Sequence, residues 1–529
     1  MVCRASQAVR TPSACWHRVT WMYPGTWGAQ TPNKPAVIMA TTGESITYRE
    51  LDEQSNQLVR LLHDSGLRRG DHIAVLLENH LHFMTTVWAA LRSGMYVTAI
   101  NWHLATDEAA YIVENCEARV LLSSAAQAAL ADPIDSPHVE RRLMFDRPDD
   151  VADRWEDYAT TVSHYPTSAV AKEPMGDAML YSSGTTGRPK GVLRSLPDVA
   201  FWDLSPKQQA AIPNPYGFGP DTIYLSPAPL YHAAPLAFCR RVHMFGGAIV
   251  VMDKFEATAA LQAIERYRCT HSQWVPTMFV RLLDLPDEVK AHHDLSTHRV
   301  AVHAAAPCPV EVKQQMMEWW GPIIWEYYAG SEGFGRTGIQ PQEWLEHPGS
   351  VGSADPERVF ILDDDGNALP RSETGGIYFK PDVDFVYKGD PEKTAGATSP
   401  QGYITYGDVG HIDQDGYLYL TDRKSFMIIS GGVNIYPREA EDVLIGHPAI
   451  LDVGVFGVPH PDLGEEVKAA VELQPGFEPS ADLETDIVQF CRDRLSSFKC
   501  PRSVDFMAEL PRLPAGKLRK GDLRKPYWS

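Results

Sequence analysis

Amphipathic helical stretches alternate with short apolar runs between residues 43 and 110, and this alternation constrains the fold more than any other feature of the sequence. Residues 48–64 place leucines at helical spacing on one side, and residues 72–77 form the short, branched run that is typical of a buried strand. Helices with such a stripe pack onto sheets in layers. Four further strand-like runs, with helical stretches between them, follow at 222–226, 247–252, 300–304 and 323–328. The sequence therefore predicts an α/β fold with two layered α/β subdomains.

The pattern changes twice further along the chain. Short extended pieces separated by Asp and Gly turns indicate a small β-rich subdomain. These pieces lie at 359–362, 376–380, 403–406 and 417–420. From residue 430 a compact β/α alternation leads to a basic tail, which predicts a small, mobile α+β domain. We expect a loosely ordered leader over residues 1–20, a large N-terminal domain over 21–422 and a C-terminal domain over 423–529.

Charge and composition exclude several classes of protein. The 529 residues include 48 Lys and Arg against 68 Asp and Glu, a net charge of -20, which argues against a partner made of nucleic acid. Eight cysteines without a CxxC pair argue against a disulfide scaffold or a zinc ribbon and favour a reducing, cytoplasmic location. The sequence has no apolar run long enough to span a membrane, and its first 20 residues do not resemble a secretory signal.

The segment YSSGTTGRPKGV at residues 181–192 carries the strongest functional signal. Its glycines let backbone N–H groups converge on an anion, its hydroxyls add donors and its lysine adds charge, which suits a polyphosphate. The spacing of a P-loop NTPase is missing. The candidate phosphate-binding residues are Ser182, Ser183, Gly184, Thr185, Thr186, Gly187 and Lys190.

This segment resembles the phosphate loop of the adenylate-forming superfamily, which comprises acyl-CoA synthetases, adenylation domains and luciferases. Further similar segments follow in the same order from about residue 30 to the end of the chain. They are LSPAPLYHAAPL (225–236), HAAAP (303–307), YYAGSEG (327–333), YGDVGHID (406–413), DRKSFMIISGGVNIYP (422–437) and PAGKLRK (514–520). The resemblance implies a ligase that uses ATP, Mg²⁺ and coenzyme A.

The resemblance also implies roles for individual residues in adenylate formation. Tyr328 stacks on the purine, Asp408 accepts hydrogen bonds from the ribose hydroxyls, Arg423 contacts the ribose and phosphate side, and Lys517 is the adenylation lysine. Glu332 and Thr185 are the candidate magnesium ligands, since carboxylate and hydroxyl oxygens suit this ion. The remaining candidate nucleotide-binding residues are Ala305, Ala306, Pro307, Ala329, Gly330 and Ser331.

A second group of residues is implied in thioester formation. In the superfamily the C-terminal domain rotates about a hinge, here residue 424 or 425, which replaces the adenylation lysine by another face of the domain. Gly431 and Gly432 would leave room for the pantetheine arm. Lys499 is the candidate contact of the coenzyme A phosphates.

The acid is less firmly specified. The resemblance assigns His232 to the carboxylate end of the acyl pocket, and Trp274, Val302 and Ala304 are the other candidate wall residues. The segment 226–247 contains no acid but has Arg240 and Arg241, which argues against a substrate with an ammonium group. We therefore expect an apolar acid: a medium or long fatty acid, or a bulky alicyclic, bile-acid-like or terpenoid acid.

Several alternatives stay open at this point. An acyl-AMP ligase that loads a carrier protein would share the adenylation residues, and so would a non-catalytic nucleotide-binding homologue. Coenzyme A is preferred as acceptor because FVYKGDPEKTA at 385–395 resembles fatty-acyl ligases of lipid metabolism. Contact of the basic tail with an anionic membrane and a homodimeric state are compatible with the sequence.

Overall fold

The structure is a computed structural model that describes residues 23–170, 175–182, 189–200, 203–204, 212–381, 384–423, 426–430, 433–461, 463–512 and 518–528. The leader predicted over residues 1–20 lies outside these ranges. Within them, helices alternate with strands and build an α/β molecule with five sheets, so the predicted fold class is confirmed. The helices span Pro24–Gln30, Tyr48–Asp64, Phe83–Leu91, Thr106–Asn115, Ala128–Ala131, Tyr158–Ser163, Ala233–Met244, Ala257–Tyr267, Pro276–Leu283, Asp287–His292, Val310–Trp320, Pro341–Glu346, Pro391–Gly396, Pro437–Leu444, Ala481–Arg492 and Lys520–Arg524.

A six-stranded parallel sheet forms the first α/β layer. Its strands, in spatial order, are Glu156–Asp157, Arg141–Phe145, Ala118–Ser124, His72–Leu76, Tyr96–Ala99 and Asp177–Ala178. The helix Tyr48–Asp64 packs beside it and begins at a capping box, in which Thr47 Oγ1 accepts from Glu50 N and the Glu50 carboxylate accepts from Thr47 N. The leucines of its predicted apolar stripe are fully buried.

An eight-stranded sheet forms the second layer and positions the site. Its strands, in spatial order, are Arg336–Ile339, Ile324–Ala329, Val300–His303, His271–Trp274, Ile223–Ser226, Ala248–Val251, Pro35–Met39 and Ser45–Thr47. All neighbours are parallel except the two outermost pairs. Since parallel strands end at one edge, the segments that follow residues 226, 274, 303 and 329 meet there. The four strand-like runs predicted for this region are all strands of this sheet.

Two antiparallel sheets build the β-rich region. One has the order Phe385–Tyr387, Lys190–Arg194 and Leu180–Ser182, and the other has the order Ser350–Ser353, Tyr417–Arg423, Asp408–Ile412, Gly375–Phe379 and Val359–Leu362. The strand predicted at 403–406 is wrong: only Ile404 forms isolated bridges, to Phe379 and Thr398. The chain turns directly afterwards at Gly407, whose φ of 83° ends any extended run.

The fifth sheet belongs to the C-terminal region. It has the order Val433–Ile435, Ile428–Ser430, Gly464–Leu473 and Ile450–His460, and Ser503–Met507 pairs in parallel with Gly464–Leu473. The hydrophobic cluster under this sheet uses residues between 428 and 506. The C-terminal region thus has a hydrophobic core of its own, and the division into domains at 1–20, 21–422 and 423–529 stays a prediction. Among the described residues, no helix is both long and apolar enough to cross a membrane.

Candidate active site

A cavity of about 1720 Å³ lies where the parallel strands of the eight-stranded sheet end. Segments from the β-rich region and from the C-terminal region complete its wall. The predicted site residues that line it are His232, Trp274, Ala304, Ala305, Ala306, Pro307, Tyr328, Ala329, Gly330, Ser331, Glu332, Asp408 and Lys190. The structure thus brings together side chains that lie as much as 218 positions apart in the sequence (408 minus 190).

Two described candidates lie away from the cavity wall. Val302 is only 1% exposed and packs in the hydrophobic core, because its side chain points to the covered face of the strand Val300–His303. Lys499 lies in the C-terminal region and forms an ion pair with Glu439. The structure therefore corrects the placement of Val302 in the acyl pocket and does not bring Lys499 to this cavity.

The other candidates fall outside what the structure describes. They are Lys517, Ser183, Gly184, Thr185, Thr186, Gly187, Gly431 and Gly432. For Ser182 and Arg423 only the main chain is described. Arg423 ends the strand Tyr417–Arg423, directly opposite Asp408 in the neighbouring strand.

Two residues at the strand ends stand in restricted positions, one in its backbone conformation and one in the space around it. Ala305 has a φ of 75°, in the left-handed region that residues with a side chain seldom adopt. A Cβ atom at Gly330 would lie 2.2 Å from the ring of Tyr406 and 2.7 Å from Oε2 of Glu332. Gly330 therefore leaves room both for the aromatic ring and for the carboxylate, and a larger residue would displace one of them.

Asp408 and Tyr328 form one wall of the cavity. The Tyr328 hydroxyl donates a hydrogen bond to Oδ2 of Asp408 at 2.7 Å, and both residues are 9% exposed. The Tyr406 ring meets the Tyr328 ring edge to face at 5.8 Å and stacks on Phe334 at 4.0 Å. Packing and this hydrogen bond hold an aromatic face and a carboxylate beside each other, which is an arrangement that can receive a purine and a ribose.

Glu332 is a nearly buried carboxylate that the sequence assigns to magnesium. It is 9% exposed, and its Oε1 accepts a hydrogen bond from the Tyr387 hydroxyl at 2.7 Å. Its Oε2 faces the space that Gly330 leaves free. An oriented carboxylate oxygen at a cavity wall fits the preference of Mg²⁺ for oxygen ligands.

Lys190 carries a positive charge at the same cavity. Its Nζ lies 2.5 Å from Oδ2 of Asp390, which is also the N-cap of the helix Pro391–Gly396. The hydrogen bond from Lys190 lowers the pKa of Asp390. The pair joins the strand of the phosphate-loop segment to the segment 385–395.

His232 lies at the start of the helix Ala233–Met244. Burial, and secondly the neighbouring His103, lower the pKa of His232 to about 4, so its ring is neutral at pH 7. Within the described part of the chain, its buried Nε2 has no hydrogen-bond partner. A neutral imidazole with an unused nitrogen can donate to or accept from a polar group of a ligand.

Trp274 is shared between the cavity wall and the core. It lines the cavity, yet it is 1% exposed and its ring packs against Trp320 and Phe279, with ring centroids 5.4 and 6.2 Å away. Its Nε1 donates to Ser272 Oγ at 2.5 Å. Only an edge of the indole is therefore left for a ligand.

Several residues of the cavity are not among those predicted from the sequence. Tyr387 and Asp390 hold Glu332 and Lys190, and both stand in the segment 385–395 whose resemblance was noted without roles for its residues. Arg336 follows the YYAGSEG segment by three residues, but the sequence does not show which way it faces. The pairing of strands supplies that information.

A buried ion pair stabilises the floor of the cavity. Lys313 Nζ lies 2.7 Å from Glu326 Oε2, and His303 Nε2 lies 3.2 Å from the same oxygen. Burial alone would raise the pKa of Glu326, but His303 and Lys313 outweigh it and lower the pKa to about 2. Glu326 is therefore ionised and fastens the helix Val310–Trp320 to the strand that leads into the YYAGSEG segment.

Comparison with known proteins gives a consistent result over most of the chain. A family model described as "AMP-binding enzyme" matches residues 26–389, and one described as "AMP-binding enzyme C-terminal domain" matches residues 439–517. The chain is 31% identical to the long-chain-fatty-acid–CoA ligase FadD13 of Mycobacterium tuberculosis over 505 residues, which cover 94% of this chain and 96% of that protein. It is 30% identical to the fatty acid–[acyl-carrier-protein] ligase ScoC of Streptomyces coeruleorubidus, with 94% of each chain covered.

A solved structure shows the same fold at a similar level of sequence identity. The amide bond synthetase McbA from Marinactinospora thermotolerans superposes with a TM-score of 0.78 at 29% identity, and the match covers 94% of this chain and 97% of that one.

Proposed function

The chain belongs to the AMP-binding enzyme family as an AMP-forming acid–CoA ligase, and from that premise we propose that it activates an apolar carboxylic acid through an acyl-adenylate before transfer to coenzyme A. The acid is a medium or long fatty acid, or one with a bulky alicyclic or terpenoid body. The observation that carries the proposal is one continuous cavity, which holds Asp408 and Glu332 on one part of its wall and the neutral His232 on another.

In the first step an oxygen of the acid's carboxylate bonds to the α-phosphorus of ATP, and the bond from that phosphorus to pyrophosphate breaks. Tyr328 and Asp408 hold the adenosine, and His232 orients the attacking carboxylate. Lys190 and the lysine predicted at 517 neutralise charge on the phosphates. Such a reaction depends on positioning and charge stabilisation rather than on covalent help from the protein.

Glu332, with the predicted Thr185, would hold magnesium, which when bound neutralises phosphate charge. In the second step the sulfur of coenzyme A bonds to the acyl carbon, the bond to AMP breaks and the thiol proton is released. The predicted roles of Gly431 and Gly432, and the rotation of the C-terminal domain, belong to this step.

The proposal is tested by incubating the purified chain with MgATP, coenzyme A and a panel of short, long, aromatic and polycyclic acids, with products read by mass spectrometry. An acyl-CoA product supports it and identifies the acid class. The absence of both acyl-AMP and acyl-CoA with every acid, together with no ATP/pyrophosphate exchange, would favour a non-catalytic homologue instead.

A second acceptor deserves a separate test because ScoC, at 30% identity, is a ligase for an acyl carrier protein. Accumulation of acyl-AMP without thioester, relieved by adding a carrier protein with its phosphopantetheine arm, would favour this alternative over coenzyme A. The cytoplasmic location, the membrane contact of the basic tail and the homodimer stay predictions.

A further inference from the structure

Two arginines and two tyrosines meet on one part of the cavity wall. Arg241 comes from the helix Ala233–Met244, Arg336 begins the outermost strand of the eight-stranded sheet, and Tyr216 and Tyr327 lie beside them. Their mutual proximity shows in the pKa of Tyr327, which burial raises and which Arg336 and Arg241 partly lower again.

Strand geometry separates Arg336 from two of the nucleotide candidates, Tyr328 and Asp408. Tyr327 and Tyr328 are neighbours in one strand, so their side chains point to opposite faces of the sheet. Arg336 is paired with Ala329, which shares the face of Tyr327. Arg336 therefore lies on the opposite face from Tyr328 and its partner Asp408, and Arg241 lines the same cavity from the helix Ala233–Met244.

Arg241 has no carboxylate partner among the described residues, in contrast to its neighbour in sequence. Arg240 lies 3.3 Å from Asp177, whereas the charged groups that act on Arg241 are two further arginines. Burial, and then Arg336 and Arg240, lower the pKa of Arg241.

A guanidinium that is partly withdrawn from water and surrounded by like charge is unfavourable unless an anion joins it. Arginine binds a carboxylate through two parallel hydrogen bonds. A carboxylate would therefore match the guanidinium of Arg241 in both charge and shape. The hydroxyl of Tyr327 accepts a hydrogen bond from Gln273 Nε2 at 3.2 Å, so its own proton is left to donate. The group can therefore offer several donors to one anion.

We propose that the acid substrate carries a second carboxylate, remote from the reacting one, and that Arg241 and Arg336 bind it. This inference rests on the proposed function. Arg241 lies eight residues beyond the start of the helix at Ala233, which is about 12 Å along the axis. The second carboxylate is thus at the far end of an apolar body from His232.

The test uses matched pairs of acids with the full-length wild-type chain: α,ω-dicarboxylic acids of about six to twelve carbons, chosen to span that length, each with its ω-methyl ester. Initial rates of pyrophosphate release give kcat/KM for each. We expect the best diacid to exceed its ester by about tenfold or more, as for a charged hydrogen-bonded contact. If every ester has a kcat/KM equal to or higher than that of its diacid, the inference is overturned and the ligase assignment stays intact.

Variants test whether Arg241 and Arg336 bind the second carboxylate of the acid or a phosphate of ATP. Arg241→Met and Arg336→Met should raise KM for the diacid and reduce the ratio of kcat/KM between diacid and ester to near unity. Arg241→Lys should retain part of this preference for the diacid. Arg49→Met, a change at an exposed helix residue outside the cavity, serves as control. If Arg241→Met raises KM for ATP instead, the arginines bind phosphate and the inference is wrong. If no acid of either kind reacts, the proposed function fails and the inference with it.

Discussion

At the scale of single residues, the cavity depends on side chains that hold other side chains. Glu332 is oriented by Tyr387, Asp408 by Tyr328, and Lys190 by Asp390. Each of these contacts joins residues far apart in the sequence. Such supporting groups affect binding through the residue that they orient. Their replacement should therefore change how the reaction rate depends on the concentration of the one ligand that this residue binds.

Tyr387→Phe tests this for the metal. The variant removes the hydrogen bond to Glu332 Oε1 and should raise the Mg²⁺ concentration required for half-maximal adenylate formation by about tenfold, a typical effect of losing a group that supports a metal ligand. A magnesium titration at saturating ATP measures it. Tyr378→Phe, on a strand outside the cavity, is the matched control. An unchanged dependence of the rate on Mg²⁺ concentration would contradict the assignment of Glu332 as a magnesium ligand.

Lys517→Ala tests the predicted adenylation lysine. Removal of one charge that stabilises a transition state reduces kcat by about 100-fold or more, so adenylate formation should fall by that factor. Thioester formation from supplied acyl-AMP should stay at the wild-type rate. Lys525→Ala, another lysine of the basic tail, should leave both rates unchanged. Equal loss of both half-reactions would contradict the assignment.

At the scale of elements, a helix and a strand are joined by a charge pair inside the core. Lys313, on the helix Val310–Trp320, is completely buried and binds Glu326 on the strand Ile324–Ala329. Its Nζ also lies 4.6 Å from the centre of the Trp344 ring. The end of that strand carries Tyr328 and leads to Glu332, so the pair fixes the backbone from which the candidate nucleotide and metal residues project.

Lys313→Met should lower the free energy of unfolding by about 3 to 5 kcal/mol, because it leaves the buried Glu326 carboxylate beside only His303, whose pKa is lowered by burial. The double variant Lys313→Met/Glu326→Gln should recover part of that loss, since no unpaired charge remains. Urea denaturation measures both. Lys290→Met breaks an ion pair whose acidic partner, Asp287, is 96% exposed, and should change stability by less than about 1 kcal/mol.

The elements differ in how far the sequence predicts them. The helix Tyr48–Asp64 matches its predicted range because its capping box and leucine stripe are local signals. The extended piece at 403–406, predicted as one of several short pieces between Asp and Gly turns, is not a strand, because Tyr406 turns into the cluster around Phe334. The contact between Tyr387 and Glu332 joins residues 55 positions apart in the sequence, and the direction of Arg336 depends on the register in which its strand pairs with Ile324–Ala329. Local patterns carry no information on such pairing.

At the scale of the whole molecule, stability is coupled to pH through buried histidines. Burial lowers the pKa of His72, His243 and His271 to about 4 and that of His298 to about 3. In the folded chain they are neutral, whereas in the unfolded chain they take up a proton near pH 6.5. The unfolded state thus binds more protons between about pH 6.5 and 4, and stability falls as pH falls through this window.

The free energy of unfolding, measured by urea denaturation, should therefore change little between pH 7.5 and about pH 6.5 and then fall towards pH 5, by up to about 1.4 kcal/mol per pH unit for each such histidine. His243→Gln should reduce the slope, because glutamine, unlike histidine, takes up no proton in the unfolded chain. His138→Gln, at an exposed position, should leave the slope unchanged. A stability that is constant over this range would show that the histidines do not stay neutral in the fold.

The strand Ile324–Ala329 also affects how such a protein can diverge. Its alternate residues face two different neighbourhoods, with Tyr327 and the arginines on one side and Tyr328 with Asp408 on the other. A replacement on the first side can change which acid is accepted and leave the second side as it was. Insertion of one residue would instead exchange the two sides at once. New specificities should therefore arise along this strand by point replacement, while its length is conserved by selection.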